Sequence, residues 1–242
     1  MDTPELANDS MNVVLLGEFD PLMVTPRWLR RMDLIGAEDY ESYSTEIIGA
    51  NAVIVSFGSI RLQVLPENLQ VSTDASAEVE AARDLAAGIL LSKGSSGISA
   101  MGINRMVHFG EDLKGYHAIG DALTPKKLWE DVLYLPGMLN LGITGMRNDG
   151  YGGAVNVQVQ PSAIVRPGVF ISVNDHYTLT HVEVAADRNT LAGPEESNLQ
   201  VSIDKIPVAI KILTEGFDAS RSRTQEIIDR VASLDAFSGG NK

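Results

Sequence analysis

The stretch Asn68-Leu69-Gln70-Val71-Ser72-Thr73-Asp74 returns as Asn198-Leu199-Gln200-Val201-Ser202-Ile203-Asp204, identical at six of seven positions. A long helical pattern follows each copy. Val79, Ala82, Leu85, Ala86 and Ile89 recur at helical spacing after the first, and Ile227, Ile228, Val231 and Leu234 do so after the second. An echo this close predicts that one structural unit was duplicated and fused, and the reading of the whole chain follows from it.

A second landmark agrees. Val24-Thr25-Pro26-Arg27-Trp28-Leu29 matches Leu123-Thr124-Pro125-Lys126-Lys127-Leu128. Threonine is a good N-cap, and proline suits the first helical position, where its missing N–H costs nothing. The apolar residue before each cap can staple onto Leu29 or Leu128. Two short helices are expected, with Trp28, Met32 and Ile35 on one buried face and Val132 with Leu133 on the other.

Strand-like runs precede each helix, at residues 12–19 and 98–109. Afterwards, Ile60, Leu62 and Val64 alternate with Arg61 and Gln63, and Val155, Val157 and Val159 alternate with Asn156, Gln158 and Gln160. A period of two marks strands of an antiparallel sheet with one face on the core. Gly58-Ser59, Pro66-Glu67-Asn68, Asp149-Gly150 and Arg166-Pro167-Gly168 supply turns. Asp74 or Ser76 would cap the first long helix and Asp204 the second, which Gly216 would break.

The fold class predicted is α+β, with internally duplicated β-α-β(3-4)-α units forming an antiparallel sheet and helices on one face. Residues 11–93 make the first unit and 97–237 the second, with flexible tails at 1–10 and 238–242. The step from Thr25 to Thr124 is 99 residues and that from Asn68 to Asn198 is 130, so the second unit carries 31 extra residues. They are placed around 176–197, as an extra strand at 177–184 and a polar loop at 187–197.

Tandem halves of this kind resemble the fold of the TATA-box-binding protein, in which two copies make one curved sheet with helices on its convex side. The resemblance is topological and covers about residues 12–234. Met101-Gly-Ile-Asn-Arg-Met-Val-His108 also resembles a strand in a sparsely distributed family of duplicated prokaryotic α+β proteins of unknown function. That likeness implies an accessory component of a bacterial or phage system.

Charge and composition narrow the function. The net charge of −13, from 19 Lys and Arg against 32 Asp and Glu, repels phosphate backbones and anionic lipid, so neither nucleic acid nor membrane is an expected partner. Arg27, Arg30, Arg31, Lys126 and Lys127 read as solvated helix faces. The absence of cysteine removes thiol chemistry and fits a cytoplasmic protein. No apolar run approaches the ~20 residues of a spanning helix.

No reaction centre is legible. Gly94-Ser95-Ser96-Gly97 reads as a helix stop and linker, and residues 145–153 as a hairpin loop; neither opens a helix as a phosphate-cradling loop would. His108, Asp175, His176, His181 and Glu183 are weak catalytic candidates, since imidazoles beside carboxylates can act as general bases. No metal-ligand spacing is present, and no cofactor is expected. The leading expectation is a non-enzymatic binding or adaptor protein. Its outward amides and polar groups, Arg61, Gln63, Gln70, Asn156, Gln158, Gln160 and Gln200, would meet a protein partner or another copy of the chain. A small-molecule site or enzyme in the crevice between repeats is the alternative. An acidic mimic of nucleic acid comes third.

Overall fold

The computed structural model describes residues 6–180 and 200–234. The chain opens with β1 (Leu6–Phe19). Its first residues pair with a distant strand and so belong to the sheet, although the polar sequence suggested a tail up to residue 10. Helix α1 (Pro26–Arg31) forms as expected: the Thr25 side chain accepts from the Trp28 N–H at 3.4 Å. Val24 and Leu29 are fully buried, consistent with the staple. After α2 (Ala37–Ser42) comes a meander of β2 (Ser44–Gly49), β3 (Ala52–Phe57), β4 (Ile60–Leu65) and β5 (Asn68–Thr73). Helix α3 (Val79–Leu91) follows a single 3-10 turn at Ser76–Glu78, and neither Asp74 nor Ser76 caps it.

The second part begins with β6 (Ser95–Gly110) and α4 (Leu113–Leu123), then β7 (Leu141–Met146), β8 (Gly153–Pro161) and β9 (Gly168–Tyr177). It resumes at α5 (Lys205–Lys211), which passes through a π-helical turn at Ile212–Gly216 into α6 (Phe217–Ala232). Gly216 thus widens the helix rather than breaking it.

Among the described residues the strands form one antiparallel sheet in the order β2-β3-β4-β5-β1-β6-β9-β8-β7. The architecture is α+β, and β1 with β6 forms the central pair, in register from Leu6↔Phe109 to Phe19↔Ser95. The core lies on one side of the sheet. Val53, Val55, Leu62, Val64, Leu69 and Val71 meet Leu29, Ile89, Ile212 and Leu213 from the helices. Val107, Phe109, Ile171 and Val173 meet Ile119 of α4 and Ile228 of α6.

Three expectations are corrected. The second copy of the opening heptad is not a closing strand: within Gln200–Asp204 only Ser202 bridges, to Ile98, by two backbone bonds of 2.9 and 3.1 Å. The place beside β6 is taken by β9, whose β-branched Val169, Ile171 and Val173 give it a better inward face. Thr124-Pro125 starts no helix of the α1 kind. Thr124 closes α4, which the sequence reading had missed, and only a 3-10 turn follows at Lys126–Leu128. Val132 and Leu133, expected in a core, are exposed. Of the extra strand expected at 177–184, Tyr177 is the last residue of β9 and residues 178–180 are coil; residues 181–199 lie outside the described residues.

Candidate binding face

Strand alternation decides which side chains face away from the helices. In the central register Asn12 stands opposite Asn104, Asn104 opposite Asn174, Asn174 opposite Asn156, and Asn156 opposite Thr144. One transverse row of polar side chains therefore crosses β1, β6, β9, β8 and β7 on the side away from the core.

The row is hydrogen-bonded throughout. The Thr144 hydroxyl donates to Asn156 Oδ1 at 2.9 Å, and Asn156 Nδ2 donates to Asn174 Oδ1 at 3.1 Å. Asn174 Nδ2 donates to Asn104 Oδ1, and Asn104 Nδ2 donates to Asn12 Oδ1 at 2.6 Å. A primary amide carries two donors and an oxygen with two lone pairs. Each interior member spends one of each within the row and keeps one of each outside it. Gly102 makes room beside the row: a Cβ there would stand 3.2 Å from Asn174 Nδ2 and 3.3 Å from Asn104 Oδ1.

Six of the seven residues expected on this surface are here. Gln158 and Gln160 flank the row on β8, with Gln158 Nε2 donating to Gln160 Oε1 at 2.8 Å. Gln63 and Gln70 are direct cross-strand partners on β4 and β5. Arg61 joins them with its charge matched, because Nε and Nη2 grip the two Glu46 oxygens at 2.8 and 3.0 Å. That hydrogen bonding holds the Glu46 carboxyl below its ordinary value and the Arg61 guanidinium above it. Gln200 does not join, since it lies in exposed coil. The reading missed Asn12, Asn104 and Asn174. A signal was available: asparagine is depleted in strands, and these stand inside strand-like runs.

The weak catalytic candidates do not assemble. Asp175 and His176 are adjacent in sequence, so the strand sends them to opposite faces. The Asp175 carboxylate is 1% exposed and saturated by Arg147, by Arg223 at 2.5 Å, by Ser220 Oγ at 2.6 Å and by the Tyr177 hydroxyl at 3.2 Å. Arg147 also lies over the Tyr177 ring, 3.6 Å from its centroid, and clasps Asp149. Burial alone would raise the Asp149 carboxyl, yet hydrogen bonding and charge from Arg147 leave it below its ordinary value. This is a clasp joining the β7–β8 hairpin to α6, with no carboxylate oxygen left for proton transfer.

His176 is on the amide side, where burial first and the Arg147 charge second push its pKa down. His108 is on the same side, bonded through Nδ1 to Ser162 Oγ at 2.8 Å and packed on Phe170, its pKa also lowered by burial. His108 pairs across with Phe170 and His176 with Gly102. Six residues of strand therefore separate the two imidazoles, roughly 20 Å at the usual rise. His181 and Glu183 lie outside the described residues. Among the described residues no group of three or more His, Asp or Glu could hold a metal ion.

Among the clefts of the surface, a shallow one of about 270 Å³ lies on the row itself, between Thr144, Asn156, Gln158 and Asn174, and two others bear on the alternatives. One of about 390 Å³ lies where the ends of β1 and β5 meet α6, and includes Asp9, Thr73, Asp74, Arg105, Asp218 and Arg221. Its Arg105 is spent on Asp9, at 2.9 and 2.8 Å, and on Gln225 at 2.6 Å. None of the histidine candidates lines it. The other, about 820 Å³, opens between α4 and residues 126–138 and is lined by apolar side chains with His117, Lys126, Glu130 and Asp131 among them. No family model and no curated protein matches this chain.

Proposed function

We propose that this chain is a non-enzymatic, cytoplasmic binding protein that takes a protein partner on its amide-lined sheet face. The hydrogen-bonded row from Thr144 to Asn12 is the observation that carries this reading. A row already ordered by its own bonds loses little side-chain freedom when a partner arrives, and neutral amides require no ion to be stripped of water. The scaffold proposed is an internal duplication resembling the TATA-box-binding protein. The strand order supports it: each meander starts at an edge of the sheet, β2 or β7, and runs inward until β5 returns beside β1 and β9 beside β6.

The test uses the immobilised full chain and an Asn104→Ala, Asn174→Ala double variant, exposed to native lysate. A protein retained by the parent and lost by a double variant that still melts cooperatively supports the proposal. Equal retention by both, or none by either, overturns it. Among the described residues no helix is long and apolar enough to cross a membrane.

A further inference from the structure

The two edges of the sheet differ in a way that points to a partner. Strand β2 is a guarded edge. Its pairing with β3 slips between Thr45 and Ile47, and Glu46 projects from it to Arg61. A bulge and a charge are the usual devices that keep a free edge from pairing with another chain. Strand β7, at the other edge, has neither. Its register with β8 runs unbroken from Leu141↔Val159 to Met146↔Ala154. Ile143 stands on the helix-covered side of the sheet and is nevertheless 53% exposed, so the helix layer stops short of this strand.

The segment leading into β7 repeats the anomaly. Tyr134 is 94% exposed, Leu139 85% and Leu135 79%, with Val132 and Leu133 also open to solvent. Together with Ile143 they present roughly 800 Å² of apolar surface, at up to ~200 Å² for a large side chain. Monomeric proteins rarely leave a contiguous patch beyond a few hundred Å² uncovered, and a stable interface takes about 800 Å² from each partner.

Charge selects the occupant. Residues 132–146 contain no Asp, Glu, Lys, Arg or His, in a chain of net charge −13. Two copies approaching elsewhere set like charges against each other, whereas this stretch sets none. An antiparallel edge is also its own complement under a two-fold axis. The Arg147–Asp175 clasp fixes the hairpin that carries the edge, so it is pre-formed.

From these observations we infer that β7 and the uncharged arm 132–139 form a homodimer interface. Two β7 strands pair antiparallel and continue the sheet from one protomer into the next. Each arm covers the underside of its partner's β7, over Ile143. The amide row reaches this edge at Thr144, but the pairing uses the backbone of β7 and the opposite face of the sheet, so the inference stands without that reading.

Light scattering on the full chain at about 50 μM, above the micromolar limit of affinities for interfaces of this size, measures the assembly. The expected mass is twice the 26.0 kDa of one chain. Ile143→Lys and Leu139→Glu, both at exposed positions, are expected to weaken association at least 100-fold with the melting temperature of the monomer unchanged. Ile48→Lys on β2 and the Asn104→Ala, Asn174→Ala variant are expected to remain dimeric. A parent chain of 26.0 kDa overturns the inference. So does an open-ended polymer, or a dimer that survives Ile143→Lys and is lost with Ile48→Lys.

Discussion

Val71 and Val201 occupy the same place in two nearly identical heptads and lead different lives. Val71 is fully buried in β5, held between β1 and β4. Val201 is 39% exposed, and among the described residues of its heptad the sheet contact is the Ser202 bridge. Thr73 and Ile203 diverge further, at 4% and 65% exposed. A strand is made by neighbours on both sides, and the second heptad has lost its neighbour to β9. A short stretch of favourable local sequence does not outweigh the nine residues of β9, Val169–Tyr177, that are paired along both edges.

The largest expected effect tests what holds β9 in that place. Asp175→Asn would remove the buried carboxylate shared by Arg147 and Arg223 and leave the buried Arg147 guanidinium with Asp149 alone. Breaking one partner of a buried pair costs about 3–5 kcal/mol. Denaturant unfolding should show that loss; a loss below about 1 kcal/mol would mean that the clasp contributes little. The next test goes to the heptads themselves. Val71→Ala should cost about 2 kcal/mol, whereas Val201→Ala should stay within about 0.5 kcal/mol. Equal costs would mean that both copies are packed alike, against the structure.

The two Thr-Pro steps permit a smaller version of the same experiment. Thr25→Ala removes a cap and should cost about 1 kcal/mol, while Thr124→Ala, which loses only a hydroxyl bond to the Gly120 carbonyl, should cost a few tenths. The smallest effect concerns acid. All four histidines lie after residue 100, and the pKa of His108 and of His176 is lowered from 6.5 by burial. A base whose folded pKa is depressed contributes stability that is complete above its unfolded pKa and lost as pH falls through the folded one. Taking the chain from about pH 7.5 to about pH 5 should therefore lower hydrogen-exchange protection, measured against the intrinsic rate at each pH, in β8 and β9 before β3 and β4. His176→Gln should diminish that difference. A uniform loss of protection across the sheet would contradict it.

Much of the first wing was legible in the sequence, because there local signals and tertiary packing agree. The Thr25-Pro26 cap, the alternation of Ile60 to Leu65 and the helical spacing of Val79 to Ile89 each appear where they point. The second wing was harder to read. Gly115 and Gly120 dull the helical signal of α4, and Val132 and Leu133 read as core although they face solvent. For the binding face, period two sufficed to put Gln63, Gln70, Asn156, Gln158 and Gln160 on one surface. It could not supply register, and without register the alignment of Asn12, Asn104, Asn174 and Asn156 is invisible. Asp175 looked like a base beside a histidine because sequence adjacency hides the alternation of a strand.

The amide row has a heading. Every donor in it aims toward β1, so the side-chain dipoles reinforce one another across five strands instead of cancelling as strand dipoles do. One terminus, at Asn12, offers hydrogens, and the other, at Thr144, offers oxygen. A molecule lying across the strands meets a polarised track that tells its front from its back, and the same molecule turned end for end meets donors with donors.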